Sequence, residues 1–115
     1  MLAMHADELP LQTFDWGTLR WLANGTLGAV QTVGVCELYA GHRNPLHYHP
    51  NCEEILYVQH GIGKHLLGDE WVPVRLGSVV RIPVGMKHQL VNDGPDTMLT
   101  FIVFSSPDRQ TVFLE

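Results

Sequence analysis

The sequence predicts an all-β domain of the sandwich or barrel kind, on three observations. Short runs rich in β-branched and aromatic residues fill the chain, turn-forming residues interrupt them roughly every 8 to 12 positions, and no helical period of ten or more residues occurs. With 115 residues, 45% hydrophobic and 17% charged, the chain has room for one core, and the expected organisation is a single domain, 1–115.

Taken in order, Met1 to Leu11 is a polar, proline-containing lead-in, and residues 1–15 are expected to form an N-terminal arm over the surface or across a partner. Thr18 to Ala23 and Leu27 to Tyr39 read as strands, with Asn24-Gly25 between them as a hairpin signal. Gly41 to Pro45 is a loop that leads into a strand carrying His47 and His49. After a Pro50-Asn51 turn, Glu54 to Gln59 and Gly63 to Leu67 read as strands around a turn at His60 to Ile62. Gly68-Asp69-Glu70 turns the chain into Trp71 to Arg75. Val79 to Ile82, His88 to Val91 and Thr97 to Phe104 complete the set, separated by Pro83-Val84-Gly85 and Asn92-Asp93-Gly94-Pro95. Gly41, Gly61 and Gly77 stand at strand ends, where a sharp turn needs positive φ.

Seven Lys and Arg against twelve Asp and Glu give a net charge of −5, and the basic residues are scattered. That distribution argues against nucleic acid and against an anionic membrane surface. No apolar run approaches the ~20 residues that span a bilayer, and the N-terminus lacks a signal-peptide pattern, so a cytosolic protein is expected. Cys36 and Cys52 are then expected as free thiols.

The chemistry concentrates in two stretches, Gly41 to Gly61 and Gly77 to Asn92. In a strand, His47 and His49 present two imidazoles to one face while Tyr48 points to the other. A carboxylate from Glu53 or Glu54, at the start of the following strand, can swing back to the same point. His88 would close the set from a distant strand. Three neutral nitrogens and one anionic oxygen suit one divalent Fe, Mn, Ni, Co or Zn ion per chain.

The first stretch runs Gly41, five residues, His47-x-His49, four residues, Glu54, six residues, Gly61; the second runs Gly77, five residues, Pro83-x-Gly85, two residues, His88, three residues, Asn92. Both resemble the two signature motifs of the cupin superfamily, with no position missing. The resemblance implies a double-stranded β-helix, or jelly-roll, barrel holding one metal. It implies His47, His49, Glu54 and His88 as ligands, and prefers Glu54 because the six-residue gap to Gly61 starts there. Glu53 is left as the alternative ligand or as a residue that orients one. Pro83 and Gly85 would end a strand and aim His88 inward.

Other residues are weighed beside these. Cys52, between the histidine pair and Glu54, is expected to be a small buried residue, with soft-metal binding through its thiolate or a place in the substrate pocket as its functional readings. Arg81, in the apolar run V-V-R-I-P, would anchor a substrate carboxylate in the pocket or pair with an acid at an interface. His5 lies in an N-terminal segment expected to be mobile and His42, His60 and His65 in or near turns, and all four are expected to be solvated. Trp16, Trp21, Trp71, Phe101 and Phe104 are more aromatic bulk than a small barrel easily hides. Thr97 to Phe104 lacks a clean polar face, and a homodimer is expected.

Four protein ligands on an octahedral ion leave up to two open positions. The foremost expectation is a metal-dependent oxygenase, isomerase or lyase acting on a small oxygen-bearing molecule. A non-catalytic module that binds a small ligand or sugar, and a purely structural metal site, would use the same barrel. No Ser-His-Asp order, phosphate loop or dinucleotide fingerprint occurs.

Overall fold

A computed structural model describes residues 2–115; Met1, the first residue of the expected arm, lies outside the described residues. Eleven strands form two antiparallel sheets, and no α-helix occurs among the described residues. One sheet has six strands in the order β1 (Gln12–Phe14), β2 (Gly17–Ala23), β3 (Thr32–Leu38), β10 (Met98–Phe104), β5 (Glu54–His60) and β8 (Val79–Ile82). The other has five, in the order β11 (Val112–Phe113), β4 (His47–Tyr48), β9 (His88–Val91), β6 (Ile62–Leu67) and β7 (Glu70–Arg75). From β3 onward the chain passes back and forth between the sheets, as a jelly roll requires.

Alternation decides what faces inward. In β3 and β10 every second residue is buried: Thr32, Gly34, Cys36 and Leu38 on one strand, Met98, Thr100, Ile102 and Phe104 on the other. Leu38, Val58, Val74, Val80, Ile82 and Met98 fill the space between the sheets. Cys36, Leu56, Leu90, Ile102 and Phe104 belong to the same core but also form the wall of a cavity.

Two glycines set the shape. At Gly61 (φ 98°) the chain leaves one sheet for the other, and an added Cβ would stand 3.0 Å from the Met98 Cα. At Gly34 an added Cβ would meet the Trp21 ring at 2.7 Å, so its absence lets the indole lie against the sheet. Asn92 is fully buried; its amide donates to the carbonyls of Leu38 and Asp96, both at 2.8 Å, and ties the end of β9 to the end of β3.

Several expected boundaries move. Asn24 does connect paired strands, but its side chain caps a 3₁₀ turn at Gly25–Leu27 by accepting from the Leu27 N–H (3.1 Å), so β3 starts only at Thr32. The arm ends in β1, which pairs with β2. Near the C-terminus, β11 pairs with β4, joining Val112 to Tyr48 and Phe113 to His47.

Candidate metal centre

Both sheets supply the centre. His47 lies on β4, His49 just beyond it, His88 opposite His47 on β9, and Glu54 at the start of β5 in the other sheet. One ligand atom from each of the four residues lies within 4.8 Å of the other three. Glu54 is buried and points inward, whereas Glu53 points outward and accepts from Arg81 Nε at 3.1 Å. Pleat alternation therefore selects Glu54 and gives Glu53 to the outer surface.

The rear of each imidazole fixes its chemistry. His47 Nδ1 lies 2.6 Å from the Pro45 carbonyl, His49 Nδ1 2.8 Å from the Gln110 carbonyl and His88 Nδ1 2.9 Å from the Met86 carbonyl. A carbonyl only accepts, so each Nδ1 carries a hydrogen, and in the neutral form each ring turns a bare Nε2 lone pair to the centre. The Nε2 atoms of His49 and His88 each stand 3.2 Å from Glu54 Oε1, yet both are buried without a hydrogen-bond partner among the described residues. These approaches have ion-pair distance but not hydrogen-bond alignment. Lone pairs facing a carboxylate oxygen repel one another unless a cation sits among them, and this donor set fits a divalent transition metal.

Protonated imidazoles can also take a cation's place beside the carboxylate. Burial would raise Glu54, but the adjacent His49 and His88 imidazoles outweigh it and hold the carboxyl well below its usual range. Burial would lower His88, but Glu54 outweighs it and raises the imidazole. His47 is lowered to about 4, chiefly by burial.

The centre opens on a cavity of about 270 Å³. Its walls are mostly apolar and include Phe14, Trp16, Trp21, Phe104 and Phe113. Phe14 and Trp16 stack with centroids 4.6 Å apart, so part of the N-terminal arm becomes cavity wall. Trp71 is 46% exposed and lies outside the cavity, with Lys64 Nζ 4.9 Å above its ring.

Neither Cys52 nor Arg81 lines the cavity, and Cys52 is the small buried residue expected. Cys52 is buried in the core, and burial pushes its thiol up; Arg81 sits between inward Val80 and Ile82 on β8, so its side chain points outward to Glu53. His65 corrects the expectation of a solvated turn residue. It is 1% exposed in the middle of β6, lines the cavity, stacks on His88 (centroids 5.8 Å) and is lowered to about 4 by burial. Its even spacing from inward-facing Leu67 was the available signal. Arg109 and Thr111 also line the cavity, from a segment without strand periodicity.

A family model described as a cupin domain matches residues 34–104. Protein SchB of Streptomyces halstedii is 32% identical over 90 residues, which cover 76% of this chain and 65% of that protein. Polyketide synthase CurC of Streptomyces cyaneus is 35% identical over 82 residues, covering 70% of this chain and 53% of that protein. The alignments thus span less than two thirds of either relative. Among solved structures, the polyketide cyclase RemF from Streptomyces resistomycificus superposes with TM-score 0.82 at 22% identity, covering 100% of this chain and 86% of that one. Oxalate decarboxylase of Lactobacillus farciminis, in a formate complex, superposes with TM-score 0.89 at 22% identity, over 96% of this chain and 35% of the larger one. At these identities the structural likeness speaks for the fold alone. No helix among the described residues is long and apolar enough to cross a membrane.

Proposed function

This chain belongs to the cupin domain family, and from that premise we propose a metal-dependent enzyme that holds one divalent transition ion on His47, His49, Glu54 and His88. Its substrate is a small, oxygen-rich, ring-forming molecule of the polyketide type. The observation that carries this reading is the inward convergence of bare imidazole nitrogens and a carboxylate on the wall of an aromatic cavity. A structural metal site would have no need of a cavity beside it. The names of the similar cyclase and synthase proteins supply the substrate class.

A bound divalent ion supplies Lewis acidity to a substrate oxygen. The chain does the rest. Phe14, Trp16, Trp21 and Phe104 give planar apolar faces that hold a ring precursor in a folded shape and exclude water. His65, neutral at physiological pH, offers a hydrogen-bonding nitrogen beside His88. The Nδ1 bonds of the three ligand histidines keep their lone pairs aimed at one point.

The decisive measurement is metal content by inductively coupled plasma mass spectrometry, on untagged protein purified without chelator. We expect about one transition ion per chain. No uptake even after reconstitution with Fe, Mn, Co, Ni and Zn would overturn the reading. Metal uptake and ligand binding without turnover of any polyketide-type chain would make the protein a binding module instead.

We further propose that the outer face of the six-stranded sheet meets its equivalent on a second copy. Val79, Tyr57, Phe101 and Val35 lie side by side across four strands there, with Ile55, Val103 and Val33 in the next row. Light scattering should return a mass of about two chains. A monomer at micromolar concentration would refute it.

A further inference from the structure

Arg109 has an unusual setting for a cation. Its guanidinium lines the cavity, with its central carbon 4.5 Å from the Trp21 ring centroid and 5.3 Å from that of Phe104. Among the described residues no carboxylate lies within ion-pair distance of it, whereas Arg20 approaches Asp7 and Arg81 pairs with Glu53. Of its five N–H donors, one bonds to an acceptor among the described residues, Nη1 to Thr111 Oγ1. The remaining donors on this half-buried group are free for a ligand.

The same Thr111 hydroxyl lies 3.2 Å from His49 Nδ1, so one hydroxyl separates the guanidinium from a residue of the metal centre. Aromatic rings hold the guanidinium over its face, leaving its edge for in-plane hydrogen bonds. Once a divalent ion is bound, one carboxylate and one guanidinium leave the cavity with net positive charge. An apolar chamber with a positive charge at two places selects an anion that carries a hydrophobic body.

We propose that Arg109 is a specificity-determining residue that binds the carboxylate or enolate of an aromatic or ring-forming substrate, while a neighbouring oxygen faces the metal centre. The assignment rests on the reading of this cavity as the substrate site, and it names the substrate as an anion. Orientation follows: the charged end lies at the C-terminal segment and the apolar body against Trp16 and Phe14.

The test compares naphthoate with naphthylmethanol, which share a ring system and differ in charge. Binding is followed by quenching of Trp16 and Trp21, with Trp71 as constant background outside the cavity, on the full chain in metal-free and metal-loaded forms. The wild-type protein should prefer the carboxylate roughly ten-fold or more. Arg109→Gln should abolish the preference while leaving the alcohol's affinity unchanged, which also reports an intact pocket. Arg109→Lys, which keeps the charge but not the planar fork, should retain part of it. No preference in the wild type, or an undiminished preference in Arg109→Gln, overturns the proposal. Equal loss of both probes in both variants makes Arg109 a packing residue and overturns it as well. A preference that survives Arg109→Gln but disappears in His88→Ala assigns the anion to the metal, so the proposed function stands and this inference falls. An Arg109-dependent preference in a chain that takes up no metal does the reverse: the anion site stands and the metal-dependent enzyme falls.

Discussion

His47 and His88 are braced from nearby, and His49 from far away. The first two rest on carbonyls two residues earlier in their own segments, Pro45 and Met86. His49 rests on Gln110 and Thr111, which reach it across the barrel mouth from the other end of the chain. That C-terminal strap is itself clasped by Asn51, whose amide donates to the Asp108 carbonyl (2.7 Å) and whose oxygen accepts from the Gln110 N–H (3.0 Å). A local brace forms as soon as its loop forms and belongs to the backbone. A remote brace exists only while two distant segments are docked, so at one of its ligands the centre is coupled to tertiary structure.

The largest effect should come from deleting a ligand whose brace is local. His88→Ala is expected to weaken metal binding beyond the 10–100-fold typical of a supporting residue, by on the order of a thousand-fold, measured by competition with a chromogenic chelator. Full metal occupancy in that variant would sink the four-ligand centre. Next comes the remote brace: Thr111→Val, which removes the hydroxyl beside His49, should cost about ten-fold in metal affinity. An unchanged affinity there would mean that the Gln110 carbonyl alone suffices as the remote brace and that Thr111 adds nothing to it.

Releasing the clasp should matter less. Asn51→Ala removes two hydrogen bonds to the strap, and about 1–2 kcal/mol of stability is expected to go with them. Amide hydrogen exchange should then rise at residues 110–113 and not at residues 86–91. Equal acceleration in both segments would erase the contrast between them.

A separate effect is a pH dependence of the metal-free protein. His47 and His65 are lowered to about 4, so as pH falls from about 6.5 the unfolded chain takes up protons that these folded imidazoles refuse. Stability should decline through that window and level off below about 4 for these two groups. His88, raised by Glu54, works the other way: its contribution is full below about 6.5 and fades as pH rises through its folded value. Thermal melts of wild type and His65→Leu should differ in slope between pH 6.5 and 4, the variant being flatter. Parallel slopes would remove His65 from the account.

The difference between near and far support is also what sequence could and could not reveal. His47, His49 and Glu54 are legible because they lie within eight positions of one another, and strand alternation converts spacing directly into direction. Arg81 was readable by the same rule, since it alternates with Val80 and Ile82 and must face out. Arg109 and Thr111 lie in S-S-P-D-R-Q-T, which has no period, and their place at the cavity is fixed by a pairing with residues about sixty positions earlier. Nothing local encodes such a pairing. The strand β11 escaped for the same reason, being two residues long and defined by its partner β4.

Strand order has a consequence for how the protein is made. β10, the last long strand, is hydrogen-bonded between β3 and β5, which are synthesised well before it. Until residues 98–104 leave the ribosome, those two neighbours keep open edges and apolar faces, the condition under which nascent chains stick to one another or recruit chaperones. The strap that braces His49 emerges later still. An ion held at the proposed centre would therefore be fully braced only after residues 105–113 have emerged, and a product stalled before residue 98 would be an aggregating species rather than a metal-free one.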